Sequence, residues 1–322
     1  MLRSVVPGIR AETVRPFGSG HSGFTYAVDT TDGTFVLRLS PPGVRVAGPA
    51  DVGRQGRIMT ALHAEGFAVP RILACSSEPA LDGRSFALME LTTGLTCDEA
   101  IATYGGQAVC EASIAVSRAL ATIPVDRTGL AGEPVSGPAE EIDRWAALLA
   151  KAPDGARAAA DALIARLRAA AVSIAPFEPV LVHGDFHYAN LLFDEGRVVA
   201  VLDWELAGLG MPLVDLASLT VTALRARYRP DPNPSGDVGL SAAQVAAAYT
   251  GAAAEVDWAT ALGCLKYAGI IAYGLHLHRT RRRDDPVYEN LVLTMHGLLA
   301  DGATILVDGL EAVPSPTEEV AA

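Results

Sequence analysis

The chain has 322 residues, of which 50% are hydrophobic and 19% charged, enough apolar content for one large buried domain or two modest ones. Its formal net charge is -12, and a duplex-binding protein needs a basic footprint to neutralise phosphates, so nucleic acid is excluded as an expected partner. No uncharged apolar run reaches the ~18 residues of a membrane span, the N-terminal segment Met1–Gly8 lacks a signal-peptide core, and the four cysteines (Cys75, Cys97, Cys110, Cys264) show neither C-x-x-C nor zinc spacing, so a cytoplasmic protein with reduced thiols and no membrane partner is expected.

The first elements are strands. Phe24–Val28 and Thr34–Leu39 are β-branched and aromatic runs separated by the turn residues Thr30–Gly33, which predicts a hairpin within a strand-rich start over 13–40. Pro41, Pro42 and Gly43 stop the second strand. A helix is expected from about Asp51 to Glu65, with Ile58, Met59, Ala61 and Leu62 apolar and Gly66 at its C-terminal cap. Arg71–Cys75 and Ser85–Leu91 read as two further strands joined by a turn at Leu81–Gly83.

After Gly94 the pattern changes. Residues 98–122 and 137–172 are alanine-rich with helical period, and 177–206 hold three short strand-like runs, Val180–Val182, Leu191–Phe193 and Val198–Leu202, around polar loops. The rest is mostly helical, apart from the Pro/Gly-rich connection Arg229–Gly236 and a polar tail from Val313. The fold class is therefore α+β, with strands and one helix first and a larger helical body second.

The residues that carry chemistry lie in that middle stretch. Moving a phosphoryl group to a hydroxyl needs an oriented acceptor oxygen, a group for its proton and cations on the phosphates. Asp185 follows a buried-looking strand, Asn190 comes five residues later, and the strand ending at Leu202 delivers Asp203 to the same neighbourhood, where Asn190 and Asp203 could share a cation with hard oxygen ligands. Turn chemistry accounts for any one of these residues but does not require the spaced set.

The run His183-Gly-Asp-Phe-His-Tyr-Ala-Asn190, followed by Asp203-Trp-Glu205 and by Asp215 in Pro212–Ala217, resembles the aminoglycoside phosphotransferase family of the protein-kinase-like fold. It is similar above all to the branch of phosphotransferase-like domains related to those joined to some acyl-CoA dehydrogenases. The resemblance implies a two-lobe fold: a small β-rich nucleotide lobe over 1–93, a larger mainly helical catalytic lobe over 94–312, and a flexible tail over 313–322. It implies ATP or GTP and Mg2+, with Asp185 as catalytic carboxylate, Asn190 and Asp203 as metal ligands, His183 as a support of the loop and Asp215 as its brace.

In the first lobe the same resemblance places Ser22, in the glycine-rich segment Gly18–Thr25, over the phosphates, and Arg38 on the α- and β-phosphates. The adenine edge would meet backbone groups of Glu90 and Thr92. The helix carboxylate that normally pairs with the strand cation is replaced by Gln55, unless Asp51 or Glu65 takes its place. Acceptor walls are sought among Trp145, His187, Tyr188, Tyr273, His276 and His278; the basic run Arg279–Arg283 favours an anionic acceptor if it faces the site, and the cluster Glu140, Glu141, Asp143 a cationic one. The expected acceptor is a small-molecule hydroxyl: an aminoglycoside- or macrolide-like antibiotic, or a hydroxyacyl or other metabolite. Two alternatives stand beside this reading, a metal-assisted hydrolase using Asp185 and His187, and a non-catalytic nucleotide-binding regulatory module.

Overall fold

Alternation along the strands organises the first lobe of the computed structural model, which describes residues 11–17, 24–43, 47–174, 176–228, 236–249 and 251–314. Strands β1 (Ala11–Pro16), β2 (Phe24–Thr30), β3 (Gly33–Leu39), β4 (Ile72–Leu81) and β5 (Arg84–Glu90) form one antiparallel sheet in the order β1-β2-β3-β5-β4. Successive side chains point to opposite faces. Leu37 and its partner Leu88 pack with Val28 and Phe86 on one face. Val36 and Arg38 of β3, with Met89 of β5, turn instead to the cleft between the lobes.

Helix α1 (Val52–Ala64) covers this sheet next to β4. Asp51 caps it by accepting a hydrogen bond from the Arg54 amide at 2.8 Å. Two glycines, each costing a helix about 1 kcal/mol against alanine, have a packing reason. A Cβ on Gly53 would stand 2.2 Å from the Ser76 carbonyl carbon, and one on Gly56 would stand 2.5 Å from the Cys75 Cβ. Their absence of side chains lets the helix backbone lie directly on the strand.

The second lobe is built on helices α2 (Cys97–Tyr104), α3 (Gly106–Ala121), α4 (Pro138–Leu149), α5 (Asp154–Ala171), α6 (Leu213–Ala226), α7 (Ala242–Ala247), α8 (Ala253–Arg279), α9 (Val287–Asn290) and α10 (Val292–Asp308). Each long helical stretch expected from the sequence is divided in two. The first breaks at Gly105, whose φ of +85° suits glycine, and the second before Pro153. Helix α8 is the hub: it packs against α4, α6 and α10 and is buried nearly all round from Val256 to Leu275, as an interior helix must be.

Between the helices run β7 (Val180–Val182) and the hairpin β8 (Leu191–Asp194)–β9 (Arg197–Val201), as the sequence predicts. Two strands of two or three residues, β6 (Val135–Ser136) and β10 (Gly208–Gly210), pair with β7 in the order β6-β10-β7; they are too short to leave a periodic signal. Cys97, Cys110 and Cys264 are buried and Cys75 half-buried, all as free thiols. No helix among the described residues is long and apolar enough to cross a membrane. Val313, expected to begin a frayed tail, packs against the core.

Gly53→Ala provides a test of the α1 contact in which two effects have opposite signs. Helix propensity alone would stabilise the variant by about 1 kcal/mol, whereas a backbone clash costs about 1–3 kcal/mol. Denaturant titration is expected to show a net loss of about 1 kcal/mol; a more stable variant would mean that the helix does not dock so closely.

Candidate active site

The loop from His183 to Asn190 is held from beneath by one carboxylate. Asp215, in the first turn of α6, accepts the His183 amide through Oδ2 at 2.8 Å and the Gly184 amide through Oδ1 at 2.9 Å. Burial pushes its carboxyl up to about 6, with the two amide hydrogen bonds and the Lys266 charge pulling the other way. Gly184 has φ +78°, and a Cβ there would lie 2.3 Å from the Leu206 carbonyl oxygen, so only glycine fits. The His183 Nδ1 accepts the Asp185 amide at 3.2 Å, which leaves Nε2 to donate to the Leu202 carbonyl at 2.8 Å. Its ring lies edge-on to Trp204 and Phe186, and burial lowers it to about 4. It is a neutral strut between the loop and the residue that follows β9.

Asp185 rises from this platform into a set of donors of which the sequence reading had His187 but missed Lys266 and Tyr267. Its Oδ1 accepts Lys266 Nζ at 2.9 Å and the Tyr267 hydroxyl at 2.9 Å; its Oδ2 lies 3.3 Å from His187 Nε2. Burial alone would raise the Asp185 carboxyl, but the Lys266 charge and His187 overcome it and hold the group well below the usual carboxylate range. Lys266 is 3% exposed and also donates to the Gly184 carbonyl at 2.5 Å and the Ser218 hydroxyl at 3.3 Å. Tyr267 is pushed up to about 12 by burial and by the Asp185 charge, so its hydroxyl stays a donor. A signal did exist: Lys266 is one of only two lysines in the sequence, and it interrupts a long apolar helix, where an ammonium is tolerated only if paired.

The hairpin β8–β9 sets the remaining groups. Leu191 pairs with Val201, and the Leu202 amide donates to the Asn190 carbonyl at 2.8 Å, so Asn190 and Asp203 stand side by side at its open end. The Asn190 amide nitrogen donates to the Asp185 carbonyl at 3.0 Å. Asp203 adopts φ 62°, ψ 66°, a left-handed conformation tolerated by aspartate and concentrated at functional sites. Arg38 crosses from the first lobe, donating through Nη1 to Asp203 at 2.8 Å and through Nη2 to Glu205 at 3.0 Å. The expected partnership with α1 is therefore redirected: Gln55 is buried on that helix, and the carboxylates on Arg38 come from the Asp203–Glu205 segment. Burial and the neighbouring Asp203 raise the Glu205 carboxyl to about 7, with Arg38 opposing.

A cleft of about 520 Å³ joins these groups to the first lobe. Val36, Met59 and Met89 form its upper wall, Leu192 and Leu202 its lower one, and Arg38, Asn190 and Asp203 its polar end. Glu90 and Thr92 line it; the Glu90 amide donates to the Arg71 carbonyl at 2.9 Å and its side chain pairs with Arg71. Ser22 lies outside the described residues.

The acceptor-wall candidates divide. His187 is beside Asp185, and Trp145 lies 5.7 Å from Lys266 Nζ with its Nε1 donating to Glu141 at 2.9 Å. Tyr188 is core. His276, His278 and the basic run are far off: Arg279 follows Lys266 on α8 by more than three helical turns, roughly 20 Å, and pairs with Glu289, while Arg283 pairs with Asp285. The acidic cluster is also spent locally, Glu140 on the Gly137 amide and Asp143 on Arg168.

Donors for a magnesium ion fit this end of the cleft. Mg2+ takes one or two protein carboxylates beside phosphate and water oxygens, and Asp203, Glu205 and the Asn190 side chain are hard-oxygen groups on one short segment pair. Among the described residues no cluster of three or more His, Cys, Asp or Glu side chains forms a self-sufficient metal cage.

A family model described as the phosphotransferase enzyme family matches residues 13–258. Acyl-CoA dehydrogenase family member 11 of Rattus norvegicus is 31% identical over 234 residues, which are 68% of this chain and 30% of that protein; the chain spans less than a third of the length of the curated relatives it matches. A Ralstonia eutropha protein assigned as an aminoglycoside phosphotransferase superposes with a TM-score of 0.71 at 23% identity, over 94% of this chain and 96% of that one. A thermostable mutant of aminoglycoside phosphotransferase APH(4)-Ia, in ternary complex with AMP-PNP and hygromycin B, gives 0.65 at 17% identity over 95% and 98%. At these identities the structures establish the protein-kinase-like two-lobe fold.

The buried His183 makes an acid-sensitivity prediction. Its folded value, about 4, lies below the ordinary 6.5, so the unfolded chain takes up the extra proton first; the contribution is intact above pH 6.5 and is lost as pH falls toward 4. Asp215, raised to about 6 from 3.8, acts in the opposite sense in both wild type and variant. His183→Gln is expected to remove up to about 3 kcal/mol of acid destabilisation between those pH values, read as a flatter stability-versus-pH curve; parallel curves would contradict a neutral, buried His183.

Proposed function

The chain belongs to the phosphotransferase enzyme family, and from that premise we propose that it transfers the γ-phosphoryl group of ATP or GTP to a hydroxyl of a small molecule. The observation that carries this is that Asn190 and Asp203 stand at the polar end of a cleft whose other walls are apolar, with Asn190 hydrogen-bonded to the Asp185 carbonyl at 3.0 Å.

In this reading the division falls at Thr93/Gly94, with 1–93 carrying the nucleotide and 94–312 the catalytic loop and acceptor. The base occupies the slot between Val36 and Met89 above and Leu192 and Leu202 below, its polar edge toward the Glu90 carbonyl and Thr92. Arg38 serves the phosphates. Asn190 and Asp203 hold magnesium, which when bound supplies charge neutralisation on the phosphates.

Asp185 orients the acceptor. Its Oδ1 is occupied by Lys266 and Tyr267, so Oδ2, beside His187, receives the acceptor hydroxyl. As the acceptor oxygen bonds to the γ-phosphorus, the bond to the β–γ bridging oxygen breaks, and the hydroxyl proton leaves along the hydrogen bond to Oδ2. A carboxylate held this acidic accepts that proton late, so positioning is its larger contribution, in keeping with a loose phosphoryl transition state. The intact set of charged groups favours a catalyst over a regulatory module. The relatives named as acyl-CoA dehydrogenases make a hydroxyacyl compound the first acceptor to test, ahead of aminoglycosides and macrolides; one fold hosts many acceptors.

Phosphate transfer from ATP and GTP with magnesium, across hydroxyacyl thioesters, aminoglycosides and macrolides, provides the test, run with Asp185→Asn alongside. Transfer is expected to fall by at least about 100-fold in the variant while nucleotide affinity changes little. A wild-type protein that binds neither nucleotide would end this reading, and equal turnover by the variant would remove Asp185 from its assigned role.

A further inference from the structure

Arg38 lies at the polar end of the cleft and pairs there with two carboxylates. Its side chain is 15% exposed and spans two carboxylates, Asp203 at 2.8 Å and Glu205 at 3.0 Å. Both acids leave β9 within one turn, so their charges converge on the same small volume. The β3 register, which sets Arg38 opposite Thr25 and Ala87, sends the side chain into the cleft from the other lobe. The α1 residue that the sequence reading set against Arg38 is Gln55, a neutral group. The anionic partners that the structure gives Arg38 are thus the proposed metal ligand and its neighbour.

We propose that Arg38 stands in for the divalent cation: in the nucleotide-free protein it neutralises Asp203 and Glu205 and keeps free metal ions out, and the metal enters only as a nucleotide's phosphates take over the guanidinium. This rests on the reading of Asp203 as a metal ligand. The charges dictate the order. A bare divalent ion joining Asp203, Glu205 and Arg38 would place three positive charges against at most two negative ones, so it must expel the guanidinium into a partly buried cleft without an anion to receive it. A metal–nucleotide complex brings its own anion, and the phosphate oxygens match the planar fork of arginine as well as carboxylates do. Binding then becomes an exchange of partners, and no buried charge is left alone at any stage. A long, flexible side chain makes this exchange by rotamer change, with the β3 backbone fixed.

Titration of the nucleotide-free 322-residue chain with Mn2+, followed by loss of the free-ion electron paramagnetic resonance signal, tests the idea. Arg38→Met is expected to bind Mn2+ at least about ten times more tightly than wild type, and Arg38→Lys by a smaller factor, since a point charge spans two carboxylates poorly. Adding Asp203→Asn to Arg38→Met is expected to abolish the gain. In calorimetry with Mn2+ present, AMP-PNP is expected to bind Arg38→Met at least about ten times more weakly. The opposite signs are the signature, because simple damage to the site would weaken both ligands. Unchanged or weaker Mn2+ binding in both variants would overturn the proposal. Should Arg38→Met fail to fold by circular dichroism, Arg38→Lys decides alone. Should wild type bind no AMP-PNP, the phosphotransferase reading fails, while the Mn2+ comparison still decides this one.

Discussion

The buried ion pair between Lys266 and Asp185 is the constraint on which the geometry of the second lobe depends. An ammonium in the middle of a helix that is buried nearly all round cannot be hydrated, so its hydrogen bonds to Asp185, the Gly184 carbonyl and the Ser218 hydroxyl are obligatory. Removing one partner of such a pair leaves an uncompensated charge, at a cost of about 3–5 kcal/mol. Three elements are fixed at once: α8 carries the lysine, α6 the serine, and the loop after β7 the carboxylate. The same α6 sends Asp215 to the amides of His183 and Gly184. The loop is thus gripped from below by a carboxylate and from the side by an ammonium, which leaves the Asp185 Oδ2, beside His187, outside that grip.

The cleft itself is bridged by charge. Arg38 reaches from the sheet of the first lobe to Asp203 and Glu205 in the second. Behind it, Arg54 of α1 donates to Glu133 and to the Ala207 carbonyl, and the Val201 amide donates to the Ala68 carbonyl. The latter contacts tie the lobes by backbone groups and by a guanidinium as buried as that of Arg38, but only Arg38 lines the cleft. On the proposed exchange of Arg38, structural and exchangeable links between the lobes are carried by different arginines.

Legibility followed sequence distance. Asp185, Asn190 and Asp203 fall within one loop and one hairpin, and a hairpin register is local, so their meeting was readable before any fold was known. The β2–β3 and β4–β5 hairpins, α1 and its glycine stop were readable for the same reason. Lys266, Tyr267 and Ser218 were not, because they reach Asp185 from helices far along the chain, and which face of each helix meets the loop is settled by how the interior fills. The Arg279–Arg283 run shows the converse: its charges stood out in the sequence, yet the length of α8 carries them roughly 20 Å from Lys266.

By itself, then, the sequence determined the α+β class, the order of its elements and the identity of the polar groups in the central loop, all consequences of short-range patterns in hydrophobicity and turn chemistry. Only the tertiary structure decided which charges face one another. It gave Arg38 to Asp203 and Glu205, with Gln55 left on α1, and it gave Asp185 a lysine and a tyrosine from α8. The physical reason is that a charge brought out of water must be paired where the packing places it, and packing is a property of the whole interior, not of any stretch of chain.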